Sequence, residues 1–252
     1  MHAMPFQLIA HRGASYDAPE NTLAAVQLAW QQAADAVEID CRVTADGHAV
    51  VLHDFDMWRS AGADWIVHET DLAKLRTLEI GKSHTSPSSG QQIPTLAEVI
   101  QTVPAGKRLL IEVKTSNEIT GILTRIIRES RTAPQQLVVT SYDVGVLYGV
   151  RQALPDTTCY LVGRFVPDQA RGGWLPSVDD LIRTARLADA NGLNVSDNQT
   201  IDQQFCHAVQ AAGMELYVWT VDDPMRAGEL MDAGVQGIFT NRPGWLREQL
   251  SY

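Results

Sequence analysis

The fold is decided by residues 37–53, which read VEIDCRVTADGHAVVLH. This stretch contains two short runs rich in Val, Ile and Leu, Val37–Val43 and Ala49–His53, and such runs are typical of β-strands. The residues between them include Asp46-Gly47, a hairpin turn signal, and are too few for the crossover that joins parallel strands. We therefore expect the second run to fold back antiparallel on the first.

The turn also predicts the register of this hairpin. If Asp46 and Gly47 are the two turn residues, pairing back along both strands places His53 opposite Asp40. The return strand would then bring a histidine level with a carboxylate.

Seven further strand-like runs lie outside the hairpin, and helical patterns separate most of them. Strands separated by helices are parallel, with right-handed crossovers. Together with the first hairpin strand they make eight parallel strands, so we predict an α/β fold: a (β/α)₈ TIM barrel with a β-hairpin after the second strand. The seven runs are Phe6–Ala10, Leu109–Lys114, Leu137–Ser141, Thr158–Gly163, Gly192–Val195, Glu215–Val221 and Gly237–Thr240.

The region from about residue 55 to 94 is less regular and is predicted to be a short insertion. Asp71–Leu78 has the pattern of a short helix, and the polar stretch Gly81–Gln92 is typical of a surface loop. Thr95 and Glu98 then form a candidate capping box at the start of the next helix. Because no change of composition marks a boundary, we expect residues 1–252 to form one domain.

Three glycines, Gly192, Gly213 and Gly234, each follow a helical pattern and precede a strand. Glycine readily adopts the left-handed conformation in which many helices end. We therefore expect all three to cap helices.

Charge and composition exclude several classes of protein. Lys and Arg number 20 against 30 Asp and Glu, a formal net charge of −10, which disfavours a nucleic-acid binder or a polybasic membrane-surface protein. No secretory signal is visible, and no apolar run approaches the roughly 18 residues of a transmembrane helix, so no stable membrane insertion is expected. The three cysteines, Cys41, Cys159 and Cys206, are expected to be reduced core thiols of a cytoplasmic protein. The oligomeric state stays open.

Acidic side chains occur at strand ends, where barrel active sites lie. Glu38 and Asp40 share one face of their strand, and Glu112 and Lys114 share one face of theirs. Three carboxylates inside a barrel cannot all stay ionised unpaired, so they either pair with Arg12 and Lys114 or bind a divalent cation such as Mg²⁺ or Ca²⁺. Two basic groups leave one acid over, which favours the metal site.

His11 and His53 are the histidines placed at such strand ends. Either could act as a general acid or base near neutral pH, and a pair suits a reaction that removes one proton and delivers another. The alternative is that one of them is a core histidine donating to a backbone carbonyl. The other histidines are expected at the surface: His2, His48, His68, His84 and His207.

Arg12 and Lys114 would add positive charge beside the proposed metal. Guanidinium and ammonium groups are the usual protein partners of phosphate, so together they predict a phosphate pocket. The alternative is that Arg12 only forms salt bridges with Glu20 or Glu38.

The chain resembles the glycerophosphodiester phosphodiesterase family in an ordered series of motifs that spans nearly its whole length. These are HRG (11–13), PENT (19–22), EID (38–40), HD (53–54), IPTLAE (93–98), EVK (112–114), WTVD (219–222) and GVQGIFTNRP (234–243).

The resemblance implies a TIM barrel that hydrolyses small-molecule glycerophosphodiesters to sn-glycerol 3-phosphate and an alcohol, within lipid and glycerol metabolism. It also implies the roles of ten residues. Glu38, Asp40 and Glu112 would bind one divalent metal ion, His11 and His53 would be the acid–base pair, Arg12 and Lys114 would hold phosphate oxygens, Trp219 would line the glycerol side, and Glu20 and Asn21 would support the site from behind.

Two features depart from the family pattern. Residues 56–62 replace a stretch that is often rich in threonine, and Asn241 replaces the usual aspartate. Neither change removes a metal ligand or an acid–base residue, so the differences bear on loop contacts and substrate preference.

Two other functions are kept as alternatives. A lysophospholipase D-like enzyme would need an exposed apolar mouth, for which Trp58, Trp65 and Trp174 are candidates unless they are ordinary partly buried tryptophans. A non-catalytic barrel that binds phosphate ligands is the other, although the presence of both histidines and all three carboxylates disfavours it.

Overall fold

The computed structural model describes residues 6–81, 84, 90–115, 118–170 and 172–250. The strands are β1 (Gln7–His11), β2 (Ala36–Val43), β3 (Ala49–Val51), β4 (Arg108–Val113), β5 (Leu137–Ser141), β6 (Thr158–Gly163), β7 (Val166–Pro167), β8 (Trp174–Leu175), β9 (Gly192–Ser196), β10 (Glu215–Trp219) and β11 (Gly237–Thr240). The helices are α1 (Leu23–Gln31), α2 (Trp58–Ala61), α3 (Leu72–Leu75), α4 (Leu96–Ile100), α5 (Ile119–Glu129), α6 (Val144–Ala153), α7 (Val178–Leu187), α8 (Gln203–Ala211), α9 (Pro224–Ala233) and α10 (Pro243–Gln249), with 3₁₀ turns at Val67–Glu69 and Pro134–Gln136.

Eight parallel strands form a closed barrel. Their order is β1, β11, β10, β9, β6, β5, β4 and β2, and β2 pairs back with β1 to close the circle. Helices lie between most successive strands along the chain. The predicted (β/α)₈ TIM barrel is confirmed.

The hairpin after the second parallel strand is also present, but its predicted register is wrong by one residue. β3 runs antiparallel to β2, with Cys41 paired with Val51. The Leu52 backbone N–H donates to the Asp40 carbonyl at 3.0 Å, so Leu52 and not His53 lies opposite Asp40.

The length of the hairpin loop explains this shift. The Thr44 N–H donates to the His48 carbonyl at 2.9 Å, which leaves the three residues 45–47 in the loop instead of two. Gly47 has φ +77°, the left-handed conformation in which three-residue hairpin loops end. One extra loop residue moves every side chain of the return strand to the other face.

Toward the amino ends of the strands, the inward side chains of the barrel are mostly apolar. Side chains alternate along each strand, and the inward ones nearest the amino ends of the strands pack into one layer. The Arg108 guanidinium closes the bottom by donating to the hydroxyl groups of Tyr160, at 2.6 Å, and Tyr217, at 3.3 Å. The layer consists of Ile9, Ala36, Leu110, Val138, Tyr160, Tyr217 and Phe239.

The outward side chains of the strands pack against the helices in the main core. Helix α5 shows the pattern: Ile119, Leu123 and Ile127 lie four residues apart and are all buried. Helix α4 begins with the predicted capping box of Thr95 and Glu98. Among the described helices none combines the length and the apolar character required to cross a membrane.

The insertion has a small apolar cluster of its own, packed on β3. Its described residues contain two short helices: α2, which was not predicted, and α3, inside the predicted range Asp71–Leu78. The loop predicted over Gly81–Gln92 lies mostly outside the described residues, as does His2. The cluster consists of Val50, Leu52, Met57, Val67, Leu75, Ile80 and Ile93.

A two-stranded ribbon is among the elements that the sequence did not predict. Residues that follow β6 form this ribbon, in which Val166 pairs with Leu175 and Pro167 with Trp174. Each strand has only two residues, which is too short for an alternating pattern to be recognised in the sequence.

Two of the three predicted cap glycines have the left-handed conformation, with φ +76° at Gly213 and +102° at Gly234. The prediction is wrong for Gly192, which opens β9 after α7 has already ended at Leu187. A Cβ at Gly192 would lie 2.5 Å from the Glu215 carbonyl oxygen, so this glycine is required by the close approach of β9 and β10.

The substitution Gly192→Ala is therefore expected to lower the free energy of unfolding by about 1–3 kcal/mol, because backbone has to move away from the added methyl group. Gly121→Ala is the matched control, since a Cβ there meets no atom within 4 Å. In a helix this change should stabilise the protein by about 0.5–1 kcal/mol. Urea denaturation followed by circular dichroism measures both, and a Gly192→Ala protein as stable as wild type would contradict the packing argument.

Candidate active site

The inward side chains change from apolar to polar toward the carboxyl ends of the strands. Strand β2 carries Glu38 and Asp40 above Ala36, and β4 carries Glu112 above Leu110. Three strands that pair side by side, β1, β2 and β4, thus direct polar groups to one end of the barrel. This is the end at which active sites of the fold are built.

Glu38, Asp40 and Glu112 form a buried carboxylate cluster. One oxygen of each lies within 4.8 Å of the others. Glu38 and Asp40 are each 1% exposed and Glu112 is 9% exposed. Like charges at this separation in a buried site repel one another strongly, so the cluster needs compensating cations.

Arg12 and Lys114 supply part of this compensation. Arg12 Nε lies 3.2 Å from Asp40 Oδ2, and Lys114 Nζ lies 3.1 Å from Asp40 Oδ1. Lys114 also donates to Glu112, and Arg12 forms a salt bridge with Glu20 at 2.9 Å. The ion pairs considered as an alternative from the sequence are thus present.

Glu38 is the carboxylate of the cluster whose charge is not paired with the side chain of Arg12 or Lys114. Its Oε2 accepts the Arg12 backbone N–H at 2.9 Å, whereas its buried Oε1 has no hydrogen-bond partner among the residues that the structure describes. Burial raises the pKa of Glu38 well above its ordinary value, and the charges of Asp40 and Glu112 add to this effect. An oxygen-only cluster with one unpartnered buried oxygen suits a hard divalent cation, so these residues could bind a metal ion.

The pKa values of the other two carboxylates, Asp40 and Glu112, are shifted in opposite directions. Burial opposes ionisation of Asp40, but Lys114 and Arg12 outweigh it and lower the Asp40 pKa. For Glu112 burial dominates, and its pKa is raised despite Lys114. The surroundings therefore favour the ionised form of Asp40 more than that of Glu112.

His11 lies at the end of β1 beside this cluster. Its Nδ1 lies 2.9 Å from Asn241 Oδ1. Burial lowers the pKa of His11, and the neighbouring Arg12 charge lowers it further. A neutral imidazole at neutral pH is able to accept a proton.

His53 follows the short β3 strand. Its Nδ1 lies 2.8 Å from Asp54 Oδ1, and Asp54 Oδ2 accepts from Arg59 Nε at 2.6 Å. The Arg42 guanidinium donates twice to the His53 carbonyl, at 2.9 and 2.7 Å. In both His53 and His11 the recorded Nδ1 partner is a side-chain oxygen and not the backbone carbonyl of the alternative interpretation.

Glu20 and Asn21 contact Arg12 and Asp40, respectively, and hold these charged groups in place. The Asn21 amide donates to Asp40 Oδ2 at 2.8 Å and accepts the Asp40 N–H at 3.0 Å, which fixes that carboxylate. Glu20 joins Arg12 to Arg59, its Oε1 lying 2.6 Å from the latter. Arg12 and Asn21 both have φ +58°, a conformation that costs roughly 1–2 kcal/mol for a residue with a Cβ and that is common at functional sites.

Trp219 ends β10 at the same end of the barrel. Its indole N–H donates to the Asn194 carbonyl at 3.2 Å, and its ring packs on the inward apolar layer while remaining partly exposed. The side chain therefore forms a rigid apolar edge of the site.

Several polar side chains join the site without a predicted role, among them Asp54 and Asn241, which contact the two histidines. Arg59 lies in the irregular insertion, where no strand pattern marks it, and Ser15 follows the first motif. Asp222 is the last residue of the WTVD motif, which is the signal that could have found it. It accepts from the Asn241 amide at 2.6 Å.

The three candidate tryptophans of an apolar mouth differ in exposure. Trp58 is 67% exposed, and the nearby Phe55 is 59% exposed. Trp65 packs in the insertion with Lys74 Nζ 4.4 Å from its ring centroid, and Trp174 packs against the main core. Of the three, Trp58 alone is strongly exposed.

Known proteins are similar to this chain in sequence along almost all of its length. The glycerophosphodiester phosphodiesterase of Caldanaerobacter subterraneus subsp. tengcongensis is 28% identical over 244 residues, which cover 94% of each chain. The human protein named lysophospholipase D GDPD1 is 24% identical over 268 residues, covering 96% of this chain and 85% of its own.

A solved structure is similar over almost the entire chain. The phosphodiesterase of Oleispira antarctica, in complex with its product sn-glycerol-3-phosphate, matches with a TM-score of 0.85 and 27% identity, covering 99% of this chain and 98% of that one. The model of the glycerophosphoryl diester phosphodiesterase family matches residues 11–245, from the first histidine of the site to the last helix. The chain belongs to the glycerophosphoryl diester phosphodiesterase family.

Proposed function

We propose that this phosphodiesterase hydrolyses glycerophosphodiesters to sn-glycerol 3-phosphate and an alcohol, with His11 and His53 as its acid–base pair. The observation that carries the proposal is that both histidines lie beside the carboxylate cluster: His11 is level with Glu38 where β1 pairs with β2, and His53 follows Leu52, whose N–H donates to the Asp40 carbonyl. The glycerol 3-phosphate bound to the Oleispira antarctica relative supports the choice of product.

Glu38, Asp40 and Glu112 would hold one divalent ion, for which we propose Mg²⁺ or Ca²⁺ because all three donors are oxygens. When bound, such an ion supplies Lewis-acid neutralisation of phosphate charge. The unpartnered Oε1 of Glu38 is the feature of the chain that best supports this assignment.

Arg12 and Lys114 bind the phosphate oxygens in this proposal. Their side chains are only 18% and 15% exposed, so their charges are poorly screened by water. A phosphodiester resists attack because its negative charge repels nucleophiles, and these cations offset that charge as it grows in the transition state.

The two histidines then move the protons. One removes a proton from the nucleophile and the other protonates the departing alcohol oxygen. The nucleophile is either water or the glycerol hydroxyl next to the phosphate, and accumulation of a cyclic glycerophosphate distinguishes the second route. Trp219 would line the glycerol side, and Glu20 and Asn21 would hold Arg12 and Asp40 in place.

The domain organisation and the cellular compartment of the protein are also proposed here from its sequence and its cysteines. We propose one barrel domain over residues 1–252 that acts on a small molecule in lipid and glycerol metabolism. Three buried cysteines with free thiols, Cys41, Cys159 and Cys206, support a reducing cytoplasmic compartment.

The second candidate is lysophospholipase D-like hydrolysis of lysophospholipids. The exposed rings of Phe55, in the loop that follows β3, and of Trp58, the first residue of α2, favour it because they could contact an acyl chain. Under this candidate Trp58→Ala should raise KM for lysophosphatidylcholine and leave KM for glycerophosphocholine unchanged.

The metal-loaded protein is expected to release glycerol 3-phosphate from glycerophosphocholine, with a higher kcat/KM than for lysophosphatidylcholine. A coupled choline oxidase assay measures the choline that both substrates release. Glycerol-3-phosphate dehydrogenase then identifies glycerol 3-phosphate from glycerophosphocholine, because lysophosphatidylcholine yields lysophosphatidic acid instead. A higher kcat/KM for lysophosphatidylcholine would support the second candidate instead. Binding of either compound without release of product would indicate a phosphate-binding barrel and contradict both.

A further inference from the structure

A chain of polar contacts connects His11 to Asp222 through Asn241. The Asn241 Nδ2 lies 2.6 Å from Asp222 Oδ2, and Asn241 Oδ1 lies 2.9 Å from His11 Nδ1. The Asn241 oxygen also lies 2.9 Å from the hydroxyl of Ser15. None of the roles considered above uses Asp222 or Asn241.

The orientation of Asp222 is determined by groups that can only donate to it. Its Oδ1 accepts the Asn241 backbone N–H and the Thr240 hydroxyl, both at 2.7 Å. Its Oδ2 therefore faces the Asn241 side chain, and a carboxylate oxygen there requires a donor. The NH₂ group of Asn241 must point to Asp222.

The orientation of the Asn241 amide determines which nitrogen of His11 carries the hydrogen. With its NH₂ group turned to Asp222, Asn241 presents its carbonyl oxygen to His11. A carbonyl oxygen only accepts, so Nδ1 of His11 has to be the donor. In the neutral ring the lone pair is then on Nε2.

We propose that Asp222 and Asn241 are positioning residues that set the tautomer of His11, so that its Nε2 is the atom that removes the proton from the nucleophile. The inference rests on the proposed function and deepens it, because it assigns the base to His11. Protonation of the departing alcohol then falls to His53.

The test is Asp222→Asn, which keeps the shape and removes one acceptor. The Asn241 backbone N–H still requires an oxygen, so the new NH₂ group has to face the Asn241 NH₂ group. The Asn241 amide is expected to turn over and to present its NH₂ group to His11. The hydrogen of His11 then moves to Nε2, and kcat should fall by about 10²–10⁴-fold with little change in KM.

The double variant Asp222→Asn/Asn241→Asp restores the pattern. The amide introduced at position 222 donates to the carboxylate introduced at position 241, and that carboxylate accepts from His11 Nδ1. Most of the lost kcat should return. Asp223→Asn is the matched control, since it removes the same charge one residue away and asparagine also caps helices well. It should leave kcat unchanged.

Nitrogen NMR of the Mg²⁺-loaded protein labelled with ¹⁵N-histidine reads the tautomer directly. The neutral ring of His11 should be protonated at Nδ1 in wild type and in the double variant, and at Nε2 in Asp222→Asn. A neutral wild-type His11 protonated at Nε2 would overturn the inference even if no variant folded. So would an Asp222→Asn protein with wild-type kcat, or a folded double variant with no recovery. Wild-type protein with the expected tautomer but no hydrolysis of any glycerophosphodiester would instead refute the proposed function.

Discussion

Removal of divalent cations is expected to abolish hydrolysis of glycerophosphocholine, and addition of Mg²⁺ or Ca²⁺ is expected to restore it. Without a cation, Lys114 is engaged by Glu112 and Asp40, and the buried Oε1 of Glu38 has no partner. Loss of several kcal/mol of transition-state stabilisation corresponds to at least about a 10³-fold loss of rate. Unchanged turnover in excess chelator would refute the metal proposal.

The variant Glu38→Gln tests the metal site by its affinity for the ion, without a measurement of activity. The amide keeps the shape of the side chain but removes the charge that the cations of the site leave uncompensated. Calorimetric titration with Mg²⁺ and with Ca²⁺ should show a large loss of affinity, whereas stability without metal should not fall, because a costly buried charge is gone. Glu129→Gln, at an exposed position of α5, is the control and should bind metal like wild type.

The second large effect is expected for the histidines. His11→Ala and His53→Ala should each lower kcat by about 10²–10⁴-fold, the usual contribution of a positioned acid or base. Both rings have Nδ1 hydrogen-bonded to a side-chain oxygen, which leaves Nε2 for proton transfer. Steady-state kinetics on glycerophosphocholine measures the effect.

His207→Ala is the matched control for these variants. His207 lies exposed on α8, away from the carboxyl ends of the strands, and its removal should leave kcat unchanged. Metal affinity should also remain near wild type in all three variants, since the proposed ligands are carboxylates. Near-normal turnover in a folded His11→Ala or His53→Ala protein would refute the corresponding role.

The parts of the fold that could be predicted depend on local patterns. Glu38 and Asp40 share a face because side chains alternate along any strand, and Thr95 with Glu98 forms a cap because both residues belong to one helical turn. The predicted register of the hairpin was wrong because the loop length depends on the backbone conformation of a single residue, Gly47. Gly192 was misread as a cap because its neighbour, Glu215, is distant in the sequence.

The sequence by itself determined the number and direction of the barrel strands and the set of ionisable residues at their ends. Only the tertiary structure decided which charges compensate one another: Asp40 is paired with two cations, and Glu38 is left with an unpartnered oxygen. It also decided that Asp222 reaches His11 through Asn241, across more than 200 residues of chain. The physical reason is that alternation and capping act within a few residues, whereas pKa values, hydrogen-bond direction and tautomers depend on groups that only the closed barrel brings together.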